Sequence, residues 1–244
     1  MKAVILWAGQ GRRIQKKYGG LHKALIPLNG NPLLYYLLDN IRRNGIEEIV
    51  PVLGYHADEM LTEIEKNNTF KTVVPVYNRE YERTNNLYSL VQAERILAGE
   101  DFIVINGDMV FDYRILTEIL KNPAGNAIAV DNKHYPTQLD SPRVLIEKGR
   151  ILDIGRHRNI ADSTGYAIGI YKFSAAFSED YLKAGRQLAG VKPQAGYHEP
   201  LKSMLGNAQF VPCIINDYAW MDVDEEADVV KAQRLLDTLS TKER

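Results

Sequence analysis

The chain has 244 residues, 45% of them hydrophobic, enough for a sizeable core in one α/β domain spanning residues 1–244. A formal net charge of −1 and a pI near 6.5 give no overall pull toward nucleic acid or anionic membrane, so neither is expected as a partner. The lone Cys213 excludes an internal disulfide framework, no Cys/His cluster has zinc-ligand spacing, and no apolar run suits a signal peptide or a membrane span, which together predict a soluble protein of the reducing cytoplasm.

In chain order, a short apolar run, Ala3 to Leu6, predicts a buried strand passing into a basic glycine loop with Ala8, Gly9, Gly11, Arg12 and Arg13, followed by Lys23. Two glycines can bare backbone amides to an anion while fixed cations neutralise its charge. The same glycines also suit any tight strand-to-helix turn. The loop lacks the third glycine of a dinucleotide fingerprint and the Gly-Lys-Ser/Thr ending of a P-loop.

The pattern continues with a helix from about Pro32 to Asn44, a strand from Glu48 to Leu53, a helix near Ala57 to Lys66 and a strand from Thr72 to Val76. Next come a helix from about Asn86 to Leu97, a strand from Asp101 to Ile105, a helix near Tyr113 to Leu120 and a strand from Ala127 to Val130. Alternation of this kind predicts a Rossmann-like, doubly wound, mixed but mostly parallel sheet. Beyond it, Arg143 to Ile146, Ile151 to Ile154 and Tyr166 to Phe173 read as strands of a small antiparallel extension, expected to form an acceptor lid. A last helix starts near Glu226, and Ser240 to Arg244 read as a loose polar tail.

Carboxylates stand where α/β enzymes keep their chemistry. Asp108 follows the strand Phe102 to Ile105 through Asn106-Gly107, and Trp220-Met221-Asp222-Val223-Asp224 precedes the last helix. Alternation puts Asp222 and Asp224 on one strand face, and such carboxylates can hold Mg²⁺ while leaving positions for phosphate oxygens and water. Asp108 alone could equally cap a turn. Asp228 is better explained as first-turn charge against the helix dipole.

The spacing Leu6-x-Ala8-Gly9-x-Gly11-x-Arg13, then Lys23-Ala24-Leu25-x-Pro27-Leu28-x-Gly30-x-Pro32-Leu33-Leu34, resembles the opening of the nucleoside-triphosphate transferases that make activated sugars and alcohols. Gly107-Asp108 and Trp220-x-Asp222-x-Asp224 resemble the same family. Asn86-x-Tyr88-Ser89-Leu90 is similar to its branch that transfers cytidylyl groups to alcohol phosphates. The resemblance implies the nucleotide-diphospho-sugar transferase type of fold, with Leu6, Ala8, Gly9, Gly11, Arg12, Arg13, Lys23, Asn86, Ser89 and Gly107 toward the nucleotide. It implies catalytic roles for Arg13 on the outgoing phosphates and Lys23 near the α-phosphate, and Mg²⁺ on Asp108 and Asp222 with Asp224 as a third member.

For the acceptor pocket the resemblance points to the segments of Asp131, Lys133, Gly165, Tyr166, His198 and Glu199. Trp7 and His22 depart from the family's usual small residue and proline. Trp7 would crowd the base or ribose, and His22 is read as a tolerated loop residue rather than a proton donor. Tyr171 and Phe173 suit sheet packing rather than a ligand cage.

The implied reaction is in-line attack by an acceptor phosphate on the α-phosphorus of a nucleoside triphosphate, with pyrophosphate leaving and no covalent enzyme intermediate. A cytidylyltransferase using CTP and a small phosphorylated alcohol or amino-alcohol is the favoured expectation. A sugar-1-phosphate nucleotidylyltransferase using UTP, GTP or dTTP and a non-catalytic nucleotide-binding relative are the alternatives. A homodimer is compatible with the apolar residues of the 165–215 region.

Overall fold

In a computed structural model, residues 1–67, 69–133, 141–156, 163–206 and 210–242 are described. The chain order opens with β1 (Lys2–Trp7), α1 (Arg12–Gln15) and a single 3₁₀ turn over Lys23–Leu25. A small hairpin, β2 (Pro27–Leu28) and β3 (Asn31–Pro32), leads to α2 (Leu33–Arg43), β4 (Glu48–Leu53), α3 (Ala57–Lys66), β5 (Thr72–Val73) and β6 (Val76–Tyr77). Then follow α4 (Asn86–Val91), α5 (Glu94–Leu97), β7 (Phe102–Asn106), β8 (Met109–Phe111), α6 (Arg114–Lys121) and β9 (Asn126–Asp131). The remainder comprises β10 (Arg143–Glu147), β11 (Arg150–Gly155), β12 (Gly165–Phe173), α7 (Ala175–Val191), α8 (Glu199–Met204), β13 (Phe210–Ile214), β14 (Trp220–Asp222) and α9 (Glu226–Lys242).

Ten strands form one sheet along the path β11-β10-β12-β7-β1-β4-β5, with β6 also on β4, β9 on β12 and β13 on β9. β1 pairs in parallel with both β4 and β7, β4 in parallel with β5 and β6, and β9 in parallel with β13. β1 is apolar on both faces because both are covered: Ala3, Ile5 and Trp7 enter one core layer, while Val4 enters the other with Leu6 packed against it. On one face α2 buries Leu33, Leu34, Leu37, Leu38 and Ile41, a stripe at helical spacing. The helix stops at Asn44-Gly45, where Gly45 takes φ 72° and its N–H returns to Arg42 O.

Three expectations change. β12 is no lid: it lies inside the sheet, antiparallel to β7 on one side and β9 on the other, and the antiparallel extension is the β10–β11 hairpin beyond it. The helix expected over Asn86 to Leu97 breaks after Val91, where Gln92 and Ala93 donate to Ser89 O and Leu90 O in a tightened turn. Ser240 to Lys242 belong to α9 rather than to a tail, and residues 243–244 lie outside the described residues.

Candidate functional site

A cavity of about 860 Å³ opens at the carboxyl ends of β1 and β7 and extends along β12. Its acidic corner is assembled by backbone pairing. Gly107-Asp108 turns the chain from β7 into β8, and β14 runs antiparallel to β8 with Asp222 opposite Met109. The Val223 N–H then donates to Asp108 O at 2.9 Å. Two segments more than a hundred residues apart are therefore locked so that Asp108, Asp222 and Asp224 share one corner. Strand alternation is not what unites Asp222 and Asp224, because β14 ends at Asp222 and Asp224 lies in the turn into α9.

Lys23 closes this corner from below. Its Nζ donates to Asp108 Oδ2 at 2.8 Å and to Asp224 Oδ1 at 2.6 Å. Burial opposes the charge on Lys23, but the two carboxylates outweigh it and hold its pKa above the usual lysine value. Gly11, in the left-handed region at φ 64°, packs over this side chain, and a Cβ there would stand 3.1 Å from Lys23 Cβ. Arg13 reaches Asp224 at 3.3 Å from the loop side.

Asp222 lacks such a partner. Its Oδ1 is buried with no hydrogen bond, and burial followed by the Asp108 and Asp224 charges pushes its pKa well above the usual carboxylate range. Among the described residues no group of three or more acidic, histidine or cysteine side chains forms a ready-made metal cage. The donors present are hard carboxylate oxygens, and the orphaned Asp222 oxygen beside Asp108 fits a Mg²⁺ that takes its remaining ligands from phosphate and water.

Trp7 and His22 prove structural. The indole is buried beneath the loop and donates from Nε1 to Gly107 O at 2.7 Å, so it does not crowd the cavity. A Cβ on Gly107 would stand 2.1 Å from that ring, which makes glycine necessary there. His22 is buried too: Nδ1 accepts from Ala24 N–H, and Nε2 lies 3.0 Å from Trp7 O. This arrangement requires the neutral tautomer with its proton on Nε2, and burial lowers the pKa to about 4.

Of the expected nucleotide-side residues, Leu6, Ala8, Gly9, Arg13, Asn86, Ser89 and Gly107 line the cavity. Arg12 turns outward to Gln10 Oε1. The segment at the start of α4 is fixed by side chains: Asn78 Nδ2 donates to Ser89 Oγ and Thr84 Oγ1, and Asn86 Oδ1 accepts from Tyr197 N–H. Tyr197 Oη in turn donates to Asn106 Oδ1 at 3.1 Å. Asn106 fits against β12 only because residue 169 is glycine at φ 93°, where a Cβ would lie 2.4 Å from the Asn106 amide nitrogen.

The expected acceptor residues divide. His198 lines the cavity. Asp131 is buried one layer behind it and accepts from Trp220 Nε1 at 2.9 Å, so it meets the cavity through that indole. Lys133 bonds Asn216 O, Gly165 packs on Val130 and Asp131, Tyr166 lies across from Asp131 on β9 with the Arg143 guanidinium over its ring, and Glu199 accepts from Gly196 N–H and Lys192. None of these four lines the cavity. Asn78, Asn106, Gly169, Tyr171, Tyr197 and Arg156 do, and were not anticipated. Their signal in sequence is weak, since an asparagine ending a strand or a tyrosine inside one reads as ordinary sheet.

A family model described as MobA-like NTP transferase domain matches residues 3–201. The bifunctional IPC transferase and DIPP synthase of Aquifex aeolicus is 28% identical over 240 residues, covering 96% of this chain and 51% of that protein. The CMP-5'-(3-aminopropyl)phosphonate synthase of Streptomyces rubellomurinus is 27% identical over 261 residues, covering 98% of this chain and 41% of that protein. The chain thus spans about half the length of the curated relatives it matches, or less. The inositol-1-phosphate CTP transferase from T. maritima shares the fold at a TM-score of 0.82 and 18% identity, over 98% of this chain and 95% of the other.

Proposed function

Because the chain belongs to the MobA-like NTP transferase domain family, we propose that this cavity transfers a cytidylyl group from CTP to a small phosphorylated alcohol, amino-alcohol or phosphonate, releasing pyrophosphate. The observation that carries the reading is Lys23, buried behind the lining, holding the cavity-lining Asp108 and Asp224 beside the unpartnered Asp222 oxygen. An ordinary structural ion pair has no need of a third carboxylate with a buried, unpartnered oxygen. A site handling a triphosphate does, since it must gather cations against developing negative charge.

In this reading Asp108 and Asp222, with Asp224 as a third donor, hold Mg²⁺, which when bound screens the phosphates and polarises the α-phosphoryl group. Gly9 and the Arg13 guanidinium receive the triphosphate, with Gly11 shaping the loop over Lys23. The Lys23 ammonium stays charged at physiological pH and turns toward the α-phosphate. An acceptor oxygen forms a bond to the α-phosphorus while the bond to the bridging β-phosphate oxygen breaks, and pyrophosphate departs with that electron pair. An acceptor phosphate dianion needs no proton removed, which suits a cavity where, among the described residues, the one lining histidine, His198, is buried. CTP is favoured by the names of the Streptomyces and T. maritima relatives and by the Asn86 to Leu90 segment.

Purified protein with Mg²⁺ should release pyrophosphate with CTP and a non-sugar acceptor from a panel of phosphocholine, inositol, glycerol and amino-alcohol phosphates. UTP, GTP, ATP and dTTP should be poorer by tenfold or more, on the order expected when a base-reading hydrogen bond is lost. Release only with a hexose 1-phosphate would overturn the acceptor class, and silence across the panel would overturn the activity.

A further inference from the structure

Sequence explains Asp228 as first-turn charge, and nucleotidyl transfer leaves it no task, yet it faces the cavity beside Asp222 and Asp224. Both its oxygens have donors. Oδ2 accepts from the Asp224 N–H at 3.2 Å and the Glu225 N–H at 3.0 Å, and Oδ1 accepts from Lys231 Nζ at 2.9 Å. The Asp228 N–H returns to Glu225 O at 3.0 Å. With α9 beginning at Glu226, a carboxylate in the third helical position thus reaches back over the N-cap, the return half of a capping box. A carboxylate occupied in this way is a holder rather than a metal ligand, in contrast to Asp222 with its unpartnered Oδ1.

What it holds sets it apart from an ordinary cap. Asp224 precedes the N-cap and lies beyond β14, so the β8–β14 pairing, which ends at Asp222 opposite Met109, does not fix it. Upstream, the turn is anchored by the Val223 N–H on Asp108 O at 2.9 Å and by the Val223 side chain, buried with Val229 and Ala232. Downstream, the anchor is Asp228. Between the two stands the Asp224 carboxylate, 2.6 Å from Lys23 Nζ and 3.3 Å from Arg13. Removing the Asp228 carboxylate strips the acceptor from two N–H groups of this turn and frees Asp224 to follow Arg13 away from Lys23 and Asp222.

We propose that Asp228 is a positioning residue: it touches neither metal nor substrate, and by clamping the turn it keeps the Asp224 carboxylate where a divalent cation shared with Asp108 and Asp222 needs a third donor. The proposal rests on the nucleotidyl-transfer reading above and deepens it. A cap serving α9 alone is complete with the Glu225 N–H. The second bond, to the Asp224 N–H, ties the cap to the site.

The test uses the full chain as wild type, D228A, D228N, D224A and the double variant D224A/D228A, titrated calorimetrically with the non-reacting analogue α,β-methylene CTP, with and without Mg²⁺. D228A should bind the analogue about ten- to a hundredfold more weakly with Mg²⁺, the scale for losing a group that orients a metal ligand, and no more weakly without it. Affinity without Mg²⁺ also reports that the site is folded. D228N keeps an oxygen for both N–H groups and should recover most of the loss. Added to D224A, D228A should cost nothing further, because its effect passes through Asp224. Unchanged Mg²⁺-dependent affinity in D228A, or a loss that persists without Mg²⁺ or adds to that of D224A, overturns the assignment and leaves Asp228 a cap of α9. Wild-type protein that fails to bind the analogue with Mg²⁺ overturns the nucleotide reading itself, a result distinct from any difference among the variants.

Discussion

Replacing Lys23 with alanine should lower kcat by about two to four orders of magnitude, the usual scale for loss of a preorganised cation. The side chain is held by Asp108 and Asp224 before any substrate arrives, so it needs no reorganisation to act. Single-turnover kinetics with CTP would measure the effect, and a variant within tenfold of wild type would remove Lys23 from the chemistry. His22 yields a stability prediction instead. Its folded pKa of about 4 lies below the ordinary 6.5, so the unfolded chain takes up the proton first. Stability is then complete above pH 6.5, falls as pH drops from 6.5 toward 4, and changes no further below that; the loss from pH 7 to pH 5 comes to about 2 kcal/mol. Urea unfolding at the two pH values should show that difference shrink in His22→Gln, and an equal loss in both proteins would contradict the assignment. At this scale the sequence was partly legible. Lys23, Asp108 and Asp222 stand in readable spacing, whereas the inward turn of Trp7 depends on Gly107, a hundred residues away.

Among elements, β14 sets the cavity wall. Its Trp220 indole is fixed by the buried Asp131 at the end of β9, so an Asp131→Ala variant should let the ring swing and raise the acceptor KM several-fold with the CTP KM unchanged. Asn at 131 keeps an acceptor for the indole N–H and should restore most of the effect. Steady-state kinetics on both variants decide this, and equal rises in both KM values would point to general disorder. Elements in strict β-α alternation up to β9 were legible because each carries its own apolar period. The long helix α7 was not, because Ser178, Gly185 and Gly190 imitate turn signals. Gly185 is in fact a packing residue: a Cβ there would press within 3.2 Å of Leu87 and Val91 on α4. β12 was read as a strand but misplaced, since nothing local reveals that its partners are β7 and β9.

Taken whole, the molecule separates two tasks along one sheet. The parallel half, β1, β4 and β7, ends in the loop and carboxylates that suit a triphosphate, and the antiparallel insertion of β12 with the β10–β11 hairpin supplies a second wall. The fold class follows from alternation and was readable. The second wall was not, because Ala167, Ile168, Gly169 and Tyr171 differ little from core residues until topology turns them toward the cavity. No described helix is long and apolar enough to cross a membrane. Analysis of the products by phosphorus NMR and mass spectrometry, after incubation with CTP, Mg²⁺ and the preferred acceptor phosphate, tests the central claim most directly. A diphosphate-linked CMP–acceptor and pyrophosphate in equal amounts is the predicted result; CDP with inorganic phosphate, or unchanged CTP, would contradict it.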